Sequence, residues 1–169
     1  MTDVRLRALC SDDLDLLVAN ETAEADPWNY FEIGASNRFE RRFAATGGLT
    51  EDAGMLAVET SDGTLIGSVS WITVQHGPSA ACRARNVGIS LFAAHRGRGH
   101  GSTAQRQLAD YLFATQLVER VEAETDVDNV AEQRALRTAG FSREGILRHA
   151  QFRAGEWRDV VIFSRLRGD

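Results

Sequence analysis

The feature that most limits what this chain can fold into is a run of alternate glycines, Arg96-Gly97-Arg98-Gly99-His100-Gly101. Residues 87–92 before it are mostly apolar and read as a strand. After it, Ala104, Leu108, Tyr111 and Leu112 recur at helical spacing. A strand, a glycine turn and a helix in that order gather unpaired main-chain N–H groups and the positive end of a helix dipole at one point. That point suits a phosphate. Glycine also lets the main chain approach a ligand with no Cβ in the way. Three glycines at alternate positions exceed what starting a helix requires, so a ligand is expected here.

The other elements alternate around this loop. Val4, Leu6 and Ala8 alternate with charged residues as a strand, and Ser11 is the expected N-cap of a helix through Leu14, Leu16, Leu17 and Val18. Residues 27–45 are mixed, with a helix ending before Gly47-Gly48. Strands at 55–59 and 65–71 flank the hairpin signal Ser61-Asp62-Gly63-Thr64, and 83–92 is a third. Beyond the loop and its helix, Val121, Ala123 and Thr125 alternate with Glu122 and Glu124. Asp128 or Asn129 caps a short helix with Ala131, Ala135 and Ala139 on one face, and Gly140-Phe141 ends it. Two last strands, 146–153 and 157–166, surround Ala154-Gly155. The expectation is one mixed α/β (α+β) domain over residues 1–169, with an antiparallel front and a β-α-β-α back.

Composition removes several chemistries. All 19 basic residues are arginine, which excludes a Schiff-base lysine and the lysine of a P-loop. Cys10, Cys82 and four scattered histidines form neither a zinc pattern nor a disulfide framework, so no metal is expected. No signal peptide or membrane-length apolar run is visible, and the expected location is cytoplasmic, without a membrane partner. Residues 1–82 carry a balance of −8 and residues 83–169 one of +3, with a total of −5 and no basic run. Nucleic acid is therefore not an expected partner.

Two readings compete for the loop. A dinucleotide fingerprint needs glycine at 102, where Ser102 stands, and has no use for the antiparallel strands before it. In the other, Arg96-x-x-Gly99-x-Gly101 resembles the Arg/Gln-x-x-Gly-x-Gly/Ala motif of the GNAT superfamily of acyl-CoA-dependent N-acyltransferases. Val87-Gly88-Ile89-Ser90-Leu91, Asp128-Asn129, Ala139-Gly140-Phe141 and the closing Phe152-Arg153-Ala154-Gly155-Glu156-Trp157-Arg158-Asp159-Val160 extend the likeness over 83–167. The pattern is most similar to the RimJ/RimL-like group, which acetylates protein N-termini and small amines.

That resemblance implies a central mixed sheet of about seven strands, with strands 83–92 and 120–125 parallel and splayed at the coenzyme site. It implies acetyl-CoA as cosubstrate. Ile89, Ser90 and Leu91 would meet the pantetheine arm. Arg96, Gly97, Arg98, Gly99, His100, Gly101 and Ser102 would surround the pyrophosphate. Asn129 would bind the pantetheine side or a bridging water, and Arg134 and Arg137 would reach a phosphate or face solvent. The implied reaction is direct acetyl transfer in a ternary complex to the primary amine of a protein N-terminus or a small molecule. A coenzyme A-binding module without catalysis is the alternative, and a homodimer is left open.

The chain departs from the resemblance at the acid. The tyrosine found in many members four residues before the glycine of Gly-Phe is Leu136 here, and the serine three residues after the asparagine is Glu132. Glu132 is the acid if burial raises its pKa, and a surface capping residue otherwise. Tyr111 and Ser90 stay open as alternatives. The base is sought among Glu122, Glu124 and Asp126. Trp28, Tyr30 and Phe31, close to Glu24, Asp26 and Glu32, are expected to receive a cationic acceptor together with Trp157 and Asp159, or else to fill the core.

Overall fold

The structure, a computed structural model, describes residues 4–21, 26–28 and 38–169. Seven strands form one sheet in the order β1-β2-β3-β4-β5-β7-β6. They are β1 (Val4–Ala8), β2 (Ala53–Thr60), β3 (Leu65–Gln75), β4 (Arg83–Leu91), β5 (Arg120–Asp126), β6 (Ser142–Arg153) and β7 (Glu156–Leu166). Four helices join them: α1 (Ser11–Ala19), α2 (Arg38–Thr46), α3 (His100–Thr115) and α4 (Val130–Thr138). All neighbours are antiparallel except β4 and β5, which run parallel. This is the mixed seven-strand sheet the sequence led us to expect.

Helix burial explains the strand patterns. Ala104, Leu108, Ala109 and Leu112 of α3 pack on Val58, Val69, Trp71, Val121 and Phe163. On the other face, Leu17 of α1 joins Leu9, Met55, Ala57 and Leu65. Strand β2 is covered on both faces, so it reads as a continuous apolar run rather than an alternation. The β2–β3 turn closes as the sequence suggests, with Gly63 at φ +87° and the Asp62 carboxylate accepting from the Thr64 N–H at 3.1 Å. The start of α1 differs by one residue. Cys10 is the N-cap, and the Asp13 carboxylate reaches back to accept its N–H at 2.8 Å, while the Ser11 hydroxyl donates to Asp12. Asp13 also accepts from Arg7, which holds its carboxyl down at about 2.

The parallel pair is the feature that positions a site. It pairs Arg85 with Val121, Asn86 with Glu122 and Val87 with Ala123, and then stops. β4 runs on to Leu91 and β5 to Asp126, so the two strands diverge beyond that point. Among the described residues no helix is long and apolar enough to cross a membrane.

Candidate active site

The divergence opens a cavity of about 520 Å³. Its walls are Val87, Gly88, Ile89 and Leu91 of β4, Ala123, Glu124 and Thr125 of β5, the glycine loop, and one face of α4. Asp26 and Trp28 close a further side.

Gly97, Gly99, Gly101 and Ser102 line the cavity. Gly99 is the N-cap of α3 and sits at φ +80°, in the left-handed region, with no side-chain cap over the first turn. Glycine at the N-cap thus leaves the opening turn of α3 without a capping side chain of its own. Arg96 lines the cavity by a different means. Its Nε donates to the Leu91 carbonyl at 2.8 Å, and its Nη2 lies 3.9 Å from Asp26, so it braces the end of β4. Arg98 and His100 fall outside the lining, as does Ser90, which alternation turns away from Ile89 and Leu91.

Helix α4 brings the next group. Asn129 caps it, its side-chain oxygen accepting the Glu132 N–H at 3.2 Å. The face carrying Ala131, Glu132, Arg134, Ala135 and Thr138 looks into the cavity. Leu136 points the other way into the core and is fully buried. Arg134 and Arg137 therefore separate: Arg134 lines the cavity, whereas the Arg137 guanidinium lies 5.5 Å over the Phe163 ring.

Glu132 is the most perturbed carboxyl of the cavity. Burial pushes it up to about 7, a hydrogen bond from Gln105 pulls against that, and the charge on Asp26 pushes it further up. Gln105 lies in the apolar stripe of α3 and is itself buried; its amide also donates to the Gly101 carbonyl at 3.3 Å. A buried polar residue inside that stripe was a readable signal, and sequence reasoning passed over it.

The three acidic candidates of β5 have different surroundings. Glu122 is held by His76 at 2.8 Å and by Arg120 at 2.7 Å, and Asp126 by Arg153. Glu124 alone of the three lines the cavity. Burial, and secondarily Glu122, holds its carboxyl above the ordinary range, and Asn86 donates to it at 3.4 Å.

The remaining candidates lie elsewhere. Tyr111 packs against Trp71 with ring centroids 6.0 Å apart and does not line the cavity. Trp157 is exposed against His149 and Phe152, and Asp159 accepts the His149 N–H at 2.8 Å. Tyr30 and Phe31 lie outside the described residues. Among the described residues no group of three or more histidines, cysteines or acids could hold a metal.

Comparison with known proteins adds four findings. A family model described as an acetyltransferase (GNAT) domain matches residues 3–142. The probable N-acetyltransferase YjcK of Bacillus subtilis is 35% identical over 109 residues, which is 64% of this chain and 59% of that protein, so the match spans less than two thirds of the relative's length. In overall fold, spermidine N-acetyltransferase from Vibrio cholerae, solved with CoA and spermine, matches with a TM-score of 0.80 at 21% identity over 98% of this chain and 96% of that one. The ribosomal L7/L12 alpha-N-protein acetyltransferase RimL, solved with coenzyme A, matches with a TM-score of 0.79 at 21% identity over 98% and 95% of the two chains.

Proposed function

The chain belongs to the GNAT acetyltransferases, and from that premise we propose that it moves an acetyl group from acetyl-CoA to a primary amine that is cationic before reaction. The observation that carries the reading is one cavity holding both an uncapped helix N-terminus at Gly99–Ser102 and two carboxyls of raised pKa. The residues fit coenzyme A: the glycines leave the main chain bare, and the diverging edge of β4 offers an extended backbone for a pantetheine arm. Bound acetyl-CoA supplies the activated thioester.

This chain's own groups handle protons and position. Attack by nitrogen requires the ammonium to lose one proton first and a second as the N–C bond forms. Glu124 accepts the two protons from nitrogen in turn and passes each to water. Glu132, neutral up to about pH 7, gives one to the departing sulfur and is then reprotonated. The balance is one proton released per acetyl transferred. Holding both reactants in the cleft supplies much of the remaining rate.

Asp26 and Glu124 favour an ammonium acceptor. Trp28 contributes less than an aromatic face normally would, because the Arg153 guanidinium already lies 5.9 Å over its ring. Among the relatives by fold, the spermidine N-acetyltransferase and RimL represent the two acceptor classes, polyamine and protein N-terminus, that this pocket suits.

The test is thiol release from acetyl-CoA with cationic amines and free-N-terminus peptides at two salt concentrations. An acceptor KM that rises with salt is expected, since screening shortens to about 8 Å at physiological ionic strength. A salt-independent neutral acceptor would overturn the acidic pocket. Tight coenzyme A binding with no acceptor-dependent thiol release would instead favour a binding module without catalysis.

A further inference from the structure

One buried guanidinium joins three parts of the chain that are far apart in sequence. Arg153, the last residue of β6, is 5% exposed. It donates to the Asp126 carboxylate at the end of β5 and to the main-chain carbonyl of Trp28, and it stacks over the Trp28 ring. Asp126 in turn shapes the turn leading into α4. Its carboxylate accepts the Asp128 N–H at 2.8 Å, and its main-chain carbonyl accepts the Asn129 N–H at 3.0 Å. Asn129 then caps the helix through the Glu132 N–H. On the other side, Asp26 stands two residues before Trp28 in the wall of the cavity that Glu132 also lines.

We propose that Arg153 is a positioning residue for the transfer: it ties the Asp26–Trp28 segment to the turn that carries Asn129 and Glu132, and so fixes the Asp26 carboxylate relative to Glu132. The proposal goes beyond the assignment of acid and base, and it rests on Glu132 working in that cavity. A buried ion pair is a costly way merely to fasten a hairpin, because well-packed apolar residues of the same volume do that as well or better. What the guanidinium adds is its fork. One N–H group meets a carboxylate while another holds a carbonyl, which a lysine ammonium on a flexible stem does poorly.

The effect on Glu132 runs through Asp26, since Arg153 is itself neutralised by Asp126. The other groups around Glu132 are Gln105 from α3, Arg96 beside Asp26, Arg134 on α4 and Glu124 on β5. None of these is held by Arg153. Releasing the Asp26–Trp28 segment removes a nearby negative charge, so Glu132 should ionise at lower pH.

The measurement is the Glu132 carboxyl titration followed by NMR in the protein alone, beside the pH dependence of kcat. Arg153→Lys keeps a charge opposite Asp126 and loses the fork. We expect its Glu132 titration and the alkaline limb of kcat to move down by about half a pH unit or more. Acceptor kcat/KM should fall about tenfold, and coenzyme A affinity should stay within about twofold. Asp26→Asn should reproduce the shift, and the double variant should add little to it. An Arg153→Lys protein that folds with an unmoved titration, or shifts that add in full, would overturn the proposal. If Arg153→Lys does not fold, the double variant Arg153→Met/Asp126→Asn leaves no unpaired buried charge and keeps an acceptor for the Asp128 N–H: a moved Glu132 titration supports the latch, and an unmoved one overturns it. Persistence of the alkaline limb in Glu132→Gln is a separate outcome, and it would overturn the acid assignment together with the latch.

Discussion

Glu132→Gln is expected to lower kcat by about 10²-fold or more while leaving coenzyme A affinity nearly unchanged. Loss of a positioned general acid commonly costs about 10²–10⁴ in rate. Glutamine preserves the size of the side chain and can still hydrogen-bond Gln105, and it leaves Gly97–Ser102 untouched. The same substitution has an opposite effect on stability. Burial pushes the Glu132 carboxyl up to about 7 in the folded chain, above the ordinary glutamate value of 4.5. A folded-state pKa above the unfolded one gives stability that is full below the unfolded value and is lost as pH rises through the folded one. By about pH 8.5 the wild type has given up as much as about 3 kcal/mol at this position. The glutamine variant, which never ionises, should therefore match the wild type near pH 4.5 and melt higher at pH 8.5. Melting curves at the two pH values check this beside the kinetics. Wild-type turnover in the variant would leave Glu132 as a half-buried helix residue of no catalytic account.

That a half-buried acid stands on α4 was half legible in the sequence. Asp128-Asn129 before an alanine stripe gives the helix and its cap, and the position of Glu132 follows. Whether its side chain would fold back over the helix start or enter the cleft depended on Gln105 and Asp26, which come from other elements. The same limit explains the β5 acids. Alternation alone puts Glu122 and Glu124 on one face, and only the tertiary partners His76 and Arg120 separate a Glu122 that is held by them from a Glu124 that lines the cavity. The sheet was easier to read, because its signals are local: the Asp62-Gly63 turn, the strand alternations, and the Gly140 helix stop at φ +92°. The Arg153–Asp126 pair spans 27 residues and the Arg153–Trp28 bond 125. No periodicity reports contacts at such separations. The charge asymmetry between the two halves is real in composition but does not set the charge of the cavity. The cavity takes Asp26 from one half and Arg96 and Arg134 from the other.

Gly101→Val is expected to weaken coenzyme A binding by at least tenfold, or about 1.4 kcal/mol, without unfolding the protein. Gly99→Val should lose at least as much, for two reasons that the pair of variants can separate. At Gly99 the backbone is at φ +80°, where a β-branched side chain is a genuine outlier and costs about 1–2 kcal/mol before any ligand arrives. Gly101 is helical, and a Cβ there would meet Ile89 Cδ1 and Leu91 Cδ1 at 3.7 Å, ordinary contact distance. A Cβ is therefore tolerated in the fold at 101, and helix propensity alone favours alanine over glycine by about 1 kcal/mol. Affinity lost at 101 in a protein of undiminished melting temperature must then come from bulk placed where a phosphate meets the opening N–H groups of α3. Gly63→Ala provides the control. It imposes comparable strain at φ +87° in the β2–β3 turn, outside the cavity lining, and should lower stability while leaving coenzyme A affinity alone. Titration calorimetry with coenzyme A on the three variants decides the matter. A folded Gly101→Val protein with wild-type affinity would mean that the glycine loop does not approach the ligand, and the pyrophosphate would have to be placed elsewhere in the cleft.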